Sequence, residues 1–169
     1  MNDQTKRHFG KFRGVVINTM DPLASGRVQV QVPDVGGVDI LGWAMPCVPV
    51  AGPHAGMIAL PPAGASVWVE FERGDPDYPI WTGGFWSGPA EMPVAGASSP
   101  DFRLAVVTPQ GASFLISDAP GTAGGIALRS GGASLVVNES GIHIQNGKGA
   151  SITLVGPNVS VNNGALEVI

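Results

Sequence analysis

The last third of the chain most constrains what it can fold into. From Gly125 onward, short segments of strict apolar alternation recur at near-regular intervals: 125–129, 133–137, 141–145, 151–155, 158–162 and 165–169. Period two marks each segment as a strand with one face buried. The apolar set is Ile126 and Leu128, Leu135 and Val137, then Ile142 and Ile144. It continues with Ile152 and Leu154, Val159 and Val161, and Leu166 and Val168. Between the segments lie Ser130-Gly131-Gly132, Asn138-Glu139-Ser140, Asn146-Gly147-Lys148-Gly149, Gly156-Pro157 and Asn163-Gly164. These are turn-forming residues.

Such short strands and turns cannot wrap a core within one chain, because single-chain β-helices use longer coils. A flat meander would leave its apolar face wet, at roughly 1.5–3 kcal/mol for each exposed aliphatic side chain. It would also present open sheet edges. Several identical chains wound around one axis remove the problem, and three close a prism with the aliphatic face inside. The expected fold of 104–169 is therefore an intertwined trimeric β-helix, a β-prism. Six strands spaced about 4.7–4.9 Å apart give a shaft of roughly 30 Å. That is shorter than the roughly 40–45 Å of a complete bilayer, so the trimer alone would be a short point.

Composition agrees with an all-β chain. Gly and Pro are abundant, at 25 and 15 of 169 residues, and only 13% of residues are charged. No window sustains a 3.6-residue apolar period. A net charge of −4 argues against a polyanion-binding surface. Residues 1–11, read as an N-terminal extension, contain no apolar stretch for a signal peptide, and no run is long enough to span a bilayer as a helix. Cytoplasmic assembly follows, and Cys47, the only cysteine, has no intrachain partner for a disulfide.

The first half is built differently. Strand candidates at 12–19, 26–32, 43–50, 66–73 and 78–86 are longer and more aromatic. Residues 20–25 are rich in turn formers, and Gly74-Asp75-Pro76-Asp77 is a strong β-turn signal. Residues 51–65 read as a loop with at most one helical turn. Five strands with a long insertion after the third predict an OB-type barrel over 12–88. A linker follows over 89–103. Leu104–Val107 and Ser113–Ser117 then make a transition into the repeat.

These residues carry a resemblance. Phe12-Arg13-Gly14-Val15-Val16, Asp21-Pro22 and Gly26-Arg27-Val28-Gln29-Val30 are similar to the opening of the OB domain in spike proteins of contractile tails. Trp43-Ala44, Pro46, Gly64-Ala65-Ser66-Val67-Trp68-Val69-Glu70-Phe71 and Gly74-Asp75-Pro76-Asp77-Tyr78-Pro79 extend the match, as does Trp81-Thr82-Gly83-Gly84-Phe85-Trp86. Thr108-Pro109-Gln110-Gly111-Ala112-Ser113 followed by Gly125-Ile126-Ala127-Leu128-Arg129 resembles the start of their trimeric spike. The group includes phage baseplate assembly protein V, the VgrG spike of type VI secretion and the spike of extracellular contractile injection systems.

The resemblance implies a homotrimeric structural spike that plugs the tail tube. It implies hub or inner-tube proteins at the N-terminal end, a small conical PAAR-repeat tip protein at the C-terminal end, and only transient contact with the target envelope. Relatives that carry a hub-like region, a muramidase or terminal metal-binding histidines differ from this chain, so a minimal spike is expected, with hub and tip as separate polypeptides. The tip would dock on the final strand, Ala165, Leu166, Glu167, Val168 and Ile169, whose apolar end would otherwise be exposed.

No catalytic, cofactor-binding or metal-binding set stands out. Alternation points His143 outward between Ile142 and Ile144. His54 and His8 lack Cys or carboxylate partners at ligand spacing. Cys47, near Met45 and Val48, reads as a small buried hydrophobe. Asp75 and Asp77 are explained by the turn they build, and Glu70 and Glu72 by the wet face of a strand. Two other classes compete with the spike. A nucleic-acid-binding OB protein would stack bases on Trp43, Trp68, Trp81, Phe85 and Trp86, but the chain lacks a basic groove. A trimeric receptor- or glycan-binding fibre tip would share the repeat but not the OB-like first half.

Overall fold

In the computed structural model, residues 6–93 and 101–168 are described, and the chain divides into two units, Met1–Glu91 and Met92–Ile169. Both units are built of strands. The first contains, in order, β1 (Phe12–Asn18), β2 (Val28–Gln31), a single helical turn α1 (Pro33–Gly36) and β3 (Ile40–Pro46). A two-residue-strand hairpin β4 (Ala51–Gly52) and β5 (Ala55–Gly56) follows, then β6 (Ser66–Phe71) and β7 (Pro79–Gly84).

β1, β2, β3, β7 and β6 close into a barrel in that order. All neighbours are antiparallel except β3 and β7, which run parallel. This is the Greek-key closure of an OB-like barrel, which leaves no open edge. Inward positions alternate strictly along β6, where Val67, Val69 and Phe71 are buried while Ser66, Trp68 and Glu70 are not. Val16, Val28, Val30, Val32, Ala44 and Trp81 complete the core. β-branched valine suits such an interior because it packs well on a pleated surface with little rotamer freedom to lose. Gly14 lets β1 approach closely: a Cβ there would lie 3.0 Å from Val69 Cγ2 and 3.2 Å from the Gln31 carbonyl oxygen.

Some local expectations are corrected. Residues 51–65 contain the β4–β5 hairpin, not a helical turn. The helical turn lies between β2 and β3, started by Pro33, whose fixed φ and missing N–H suit a first helical position. The third strand begins earlier and ends at Pro46; a register shift in its pairing with β2 lets Ile40 pair with Gln31. Near the N-terminus, the His8 amide donates to the Gly74 carbonyl at 2.8 Å, and Arg7 pairs with Asp75 at 2.8 Å. Those contacts tie residues 7 and 8 to the β6–β7 turn.

The second unit holds β8 (Arg103–Val107), β9 (Ser113–Ser117), β10 (Gly125–Ser130), β11 (Ala133–Asn138), β12 (Gly141–Gln145), β13 (Ser151–Val155), β14 (Asn158–Val161) and β15 (Leu166–Val168). They form one eight-stranded sheet in chain order, every neighbour antiparallel. The transition segments at 104–107 and 113–117 are thus full members of the sheet. Two glycines open strands where a side chain cannot fit. A Cβ on Gly125 would lie 2.1 Å from the Val137 oxygen, and one on Gly141 2.0 Å from the Leu154 oxygen. Both also have positive φ. Residues 94–100 of the expected linker, and Ile169, lie outside the described residues.

Candidate functional site

The register of the C-terminal sheet lines up its aliphatic residues and Phe114 into two unbroken rows. Val106, Phe114, Leu128 and Leu135 stand opposite one another in turn, and Ile144, Ile152, Val161 and Leu166 continue the row. Leu104, Ile116, Ile126 and Val137 begin the second row, which runs on through Ile142, Leu154, Val159 and Val168. Period two puts both rows on the same face. All twelve positions expected from alternation, Ile126 to Val168, fall on this stripe.

Sequence reasoning missed four members: Leu104, Val106, Phe114 and Ile116. Leu104-Ala105-Val106 shows the same alternation as the repeat. Phe114-Leu115-Ile116 is a continuous apolar run, whose parity only the pairing partner fixes.

In the single chain this face is wet. Exposure of its residues reaches 55% at Val106, 46% at Leu128 and 60% at Leu166. A trough of about 930 Å³ runs along the first row, with Val106, Phe114, Leu128, Leu135, Ile144 and Ile152 in its wall. A contiguous apolar surface of this kind marks an interaction face.

The opposite face differs. Its central row runs Ala105, Leu115, Ala127, Val136, His143, Thr153 and Ser160, becoming polar along the sheet. His143 lies there as alternation requires, half-buried, its Nε2 2.9 Å from Ser140 Oγ. Gln145 Nε2 donates to Ser134 Oγ at 3.0 Å on the same side.

On β15, Leu166 and Val168 are exposed, at 60% and 58%, and belong to the aliphatic stripe. Ala165 is exposed in the preceding turn, and Glu167 pairs through its backbone with Ser160. Ile169, the last of the expected docking residues, is outside the described residues.

Most of the barrel's tryptophans are engaged within it. Trp81 is buried, and its Nε1 donates to the Gly26 carbonyl at 3.2 Å. Trp68 and Phe85 stack at 4.7 Å between centroids, with the Arg13 guanidinium 5.7 and 5.3 Å from their rings. Arg27 covers Trp43 at 5.5 Å. Trp86 is exposed.

The strongest electrostatic arrangement fastens the β1–β2 loop. Asp21 Oδ1 accepts from Arg27 Nη2 at 2.6 Å, Arg27 Nε at 3.1 Å and the Leu23 amide at 3.0 Å. Its Oδ2 accepts from the Ser25 amide and hydroxyl, both at 2.9 Å. The Arg27 guanidinium, followed by these donors, holds the Asp21 carboxyl far below the usual carboxylate range, although burial opposes it. Asp21 in turn raises Arg27 further.

Cys47 is exposed, which corrects the buried reading. Ala44 points inward and Met45 outward, so two residues further on Cys47 faces solvent with Met45. His54 occupies the β4–β5 turn with φ +58°, and His8 packs edge-on against Phe12 at 5.8 Å. Among the described residues, no group of three or more His, Cys, Asp or Glu is placed to hold a metal ion.

Comparison with known protein families matches both units. Residues 12–86 match the type VI secretion system/phage-baseplate injector OB domain. Residues 104–167 match the phage baseplate V C-terminal trimerisation domain. A search of curated proteins returned no match. The families are structural components of baseplates, and the second is a trimerisation domain, which makes the chain a homotrimer. With an OB-like barrel and a trimerisation sheet matched in that order, the chain belongs to the phage baseplate V family and is a structural spike protein of a contractile baseplate.

Proposed function

We propose that the aliphatic stripe is the core of the trimer. Three copies wind together so that their stripes meet on a shared axis as an intertwined β-helical prism. The observation that carries this reading is the pair of apolar rows, continuous in register across eight strands, with nine of their sixteen residues exposed in one chain and the other seven half-buried. Burial is worth about 1.5–3 kcal/mol per aliphatic side chain, so sixteen positions per chain, two on each of eight strands, supply a large association energy. The stripe spans about 35 Å at the usual strand spacing. A prism of that length resists bending through its backbone ladders and dry interior.

In this reading the working units are an OB domain over 12–88, a linker over 89–103 and the spike over 104–169, preceded by the extension 1–11. The barrel engages hub or inner-tube proteins and plugs the tube. The C-terminal strand carries a PAAR-like tip, through Ala165, Leu166, Glu167, Val168 and Ile169. Contact with the target envelope is transient and mechanical, without catalysis or a cofactor. Assembly takes place in the cytoplasm. Among the described residues, no helix is long and apolar enough to cross a membrane. In this reading nucleic acid is not a partner: of the five candidate stacking residues, Trp43, Trp68, Trp81 and Phe85 are engaged within the barrel and Trp86 alone is exposed, and the chain has only nine Lys and Arg residues.

Deleting Ala165–Ile169 tests the tip assignment. Leu166 and Val168 are only the last of eight strand pairs in the stripe, so the shortened chain still assembles as a trimer. It loses capture of a PAAR-repeat protein in pull-down. Capture at full affinity by the shortened trimer would move the docking surface elsewhere.

A further inference from the structure

Two asparagines in the second unit precede glycine, Asn146 and Asn163. An Asn-Gly pair can modify itself. The glycine amide nitrogen attacks the asparagine Cγ, a C–N bond forms, and the side-chain nitrogen leaves as ammonia. Water then opens the resulting succinimide at either carbonyl, giving aspartate or isoaspartate. Glycine offers no side chain to obstruct the attack, so the rate depends on how firmly the fold holds the asparagine and the following amide.

The fold treats the two pairs differently. Asn146 Oδ1 accepts from the Lys148 amide at 2.8 Å and the Ala150 amide at 3.1 Å. Its own amide donates to the Ala150 carbonyl at 3.1 Å. Gly147 packs against the neighbouring turn, where a Cβ would lie 2.5 Å from the Gly132 carbonyl. Asn146 is thus fixed at both ends. Asn163 is exposed in the β14–β15 turn, with φ +54° there and +95° at Gly164. Its side chain makes no hydrogen bond to any described residue. The adjacent Asn162, by contrast, accepts from the Ser151 amide through its side chain at 3.0 Å.

We propose that Asn163 is a self-modifying site, converting to aspartate and isoaspartate while Asn146 stays intact. The product puts a carboxylate into the stretch 149–166, which carries no charged residue. Isoaspartate also adds a backbone carbon to the turn that sets the Val161–Leu166 pairing. If β15 carries the tip, as proposed above, an aged spike binds it less well, but the chemistry itself does not depend on that reading.

The test is to incubate the full chain, native and denatured, at neutral and mildly alkaline pH, and follow both peptides by mass and by isoaspartyl methyltransferase labelling. In the native chain the Asn163 peptide gains the amide-to-acid mass change and the label, faster at alkaline pH. The Asn146 peptide converts at least about tenfold more slowly, as the two hydrogen bonds on its side chain imply. In denaturant the two rates converge. Asn163→Gln abolishes the native signal and leaves assembly unchanged. An unmodified Asn163 peptide in the native chain, or equal native rates at the two sites, would overturn the proposal.

Discussion

Ile144 and His143 are sequence neighbours on opposite faces of the C-terminal sheet: Ile144 stands between Leu135 and Ile152, His143 between Val136 and Thr153. Ile144→Asp therefore places three carboxylates in the proposed core. An unpartnered buried charge costs several kcal/mol, so this variant runs as a monomer or aggregate in size-exclusion chromatography. His143→Asp stays within about 0.5 kcal/mol of wild type. The reverse pattern would mean that the stripe faces outward.

Phe114 tests whether the trimer core starts at β8 and β9 or only at the repeat. It faces Val106 and Leu128 in the first row. Phe114→Ala is expected to lower stability by about 3–5 kcal/mol, the usual cost of removing a buried aromatic side chain. Urea midpoints at matched protein concentration measure the loss, because trimer stability depends on concentration. A midpoint unchanged from wild type would confine the core to residues 125 onward.

Asp21 gives the barrel an acid-dependent stability. Its unfolded carboxyl titrates near 3.8, while in the fold it remains ionised to far more acid pH. The Arg27 and amide bonds are therefore fully present above the unfolded value, and their contribution is lost as pH falls below it. Asp21→Asn is less stable than wild type at neutral pH, and the difference shrinks on acidification. Thermal melting at neutral and acid pH reads both effects.

Gly141 makes a steric test of the sheet. A Cβ would meet the Leu154 oxygen at 2.0 Å, and φ is +141°. Gly141→Ala forces β12 and β13 apart and is expected to cost more than the roughly 1 kcal/mol of an ordinary glycine substitution. Gly131→Ala, with nothing within 4 Å of its would-be Cβ but φ +57°, pays only the backbone strain. Equal loss in the two variants would remove the close-approach account.

What the sequence revealed depended on parity. At Ile142-His143-Ile144, Ile152-Thr153-Leu154, Val159-Ser160-Val161 and Leu166-Glu167-Val168 apolar and polar residues alternate cleanly, so the face of each side chain was legible without coordinates. At Phe114-Leu115-Ile116 three apolar residues run together, and only the pairing of Phe114 with Leu128 shows which side they take. Cys47 was misjudged by residue type, because a cysteine is usually buried, whereas its place one step out of phase with Ala44 sends it to solvent. The closed barrel was readable from five strand segments, but the parallel contact of Met45 with Ile80 was not. That contact joins residues far apart in sequence, and no local signal encodes it. The Asp21–Arg27 clasp was likewise hidden, since a turn-rich loop gives no hint of which donors converge on one carboxylate.

The most direct test of the account is the solution mass of the intact chain by light scattering. The stripe left wet by one copy demands partners, so the measured mass should be three times the 17.3 kDa of a single chain and persist on dilution. A stable 17.3 kDa particle with the full sheet folded would contradict it.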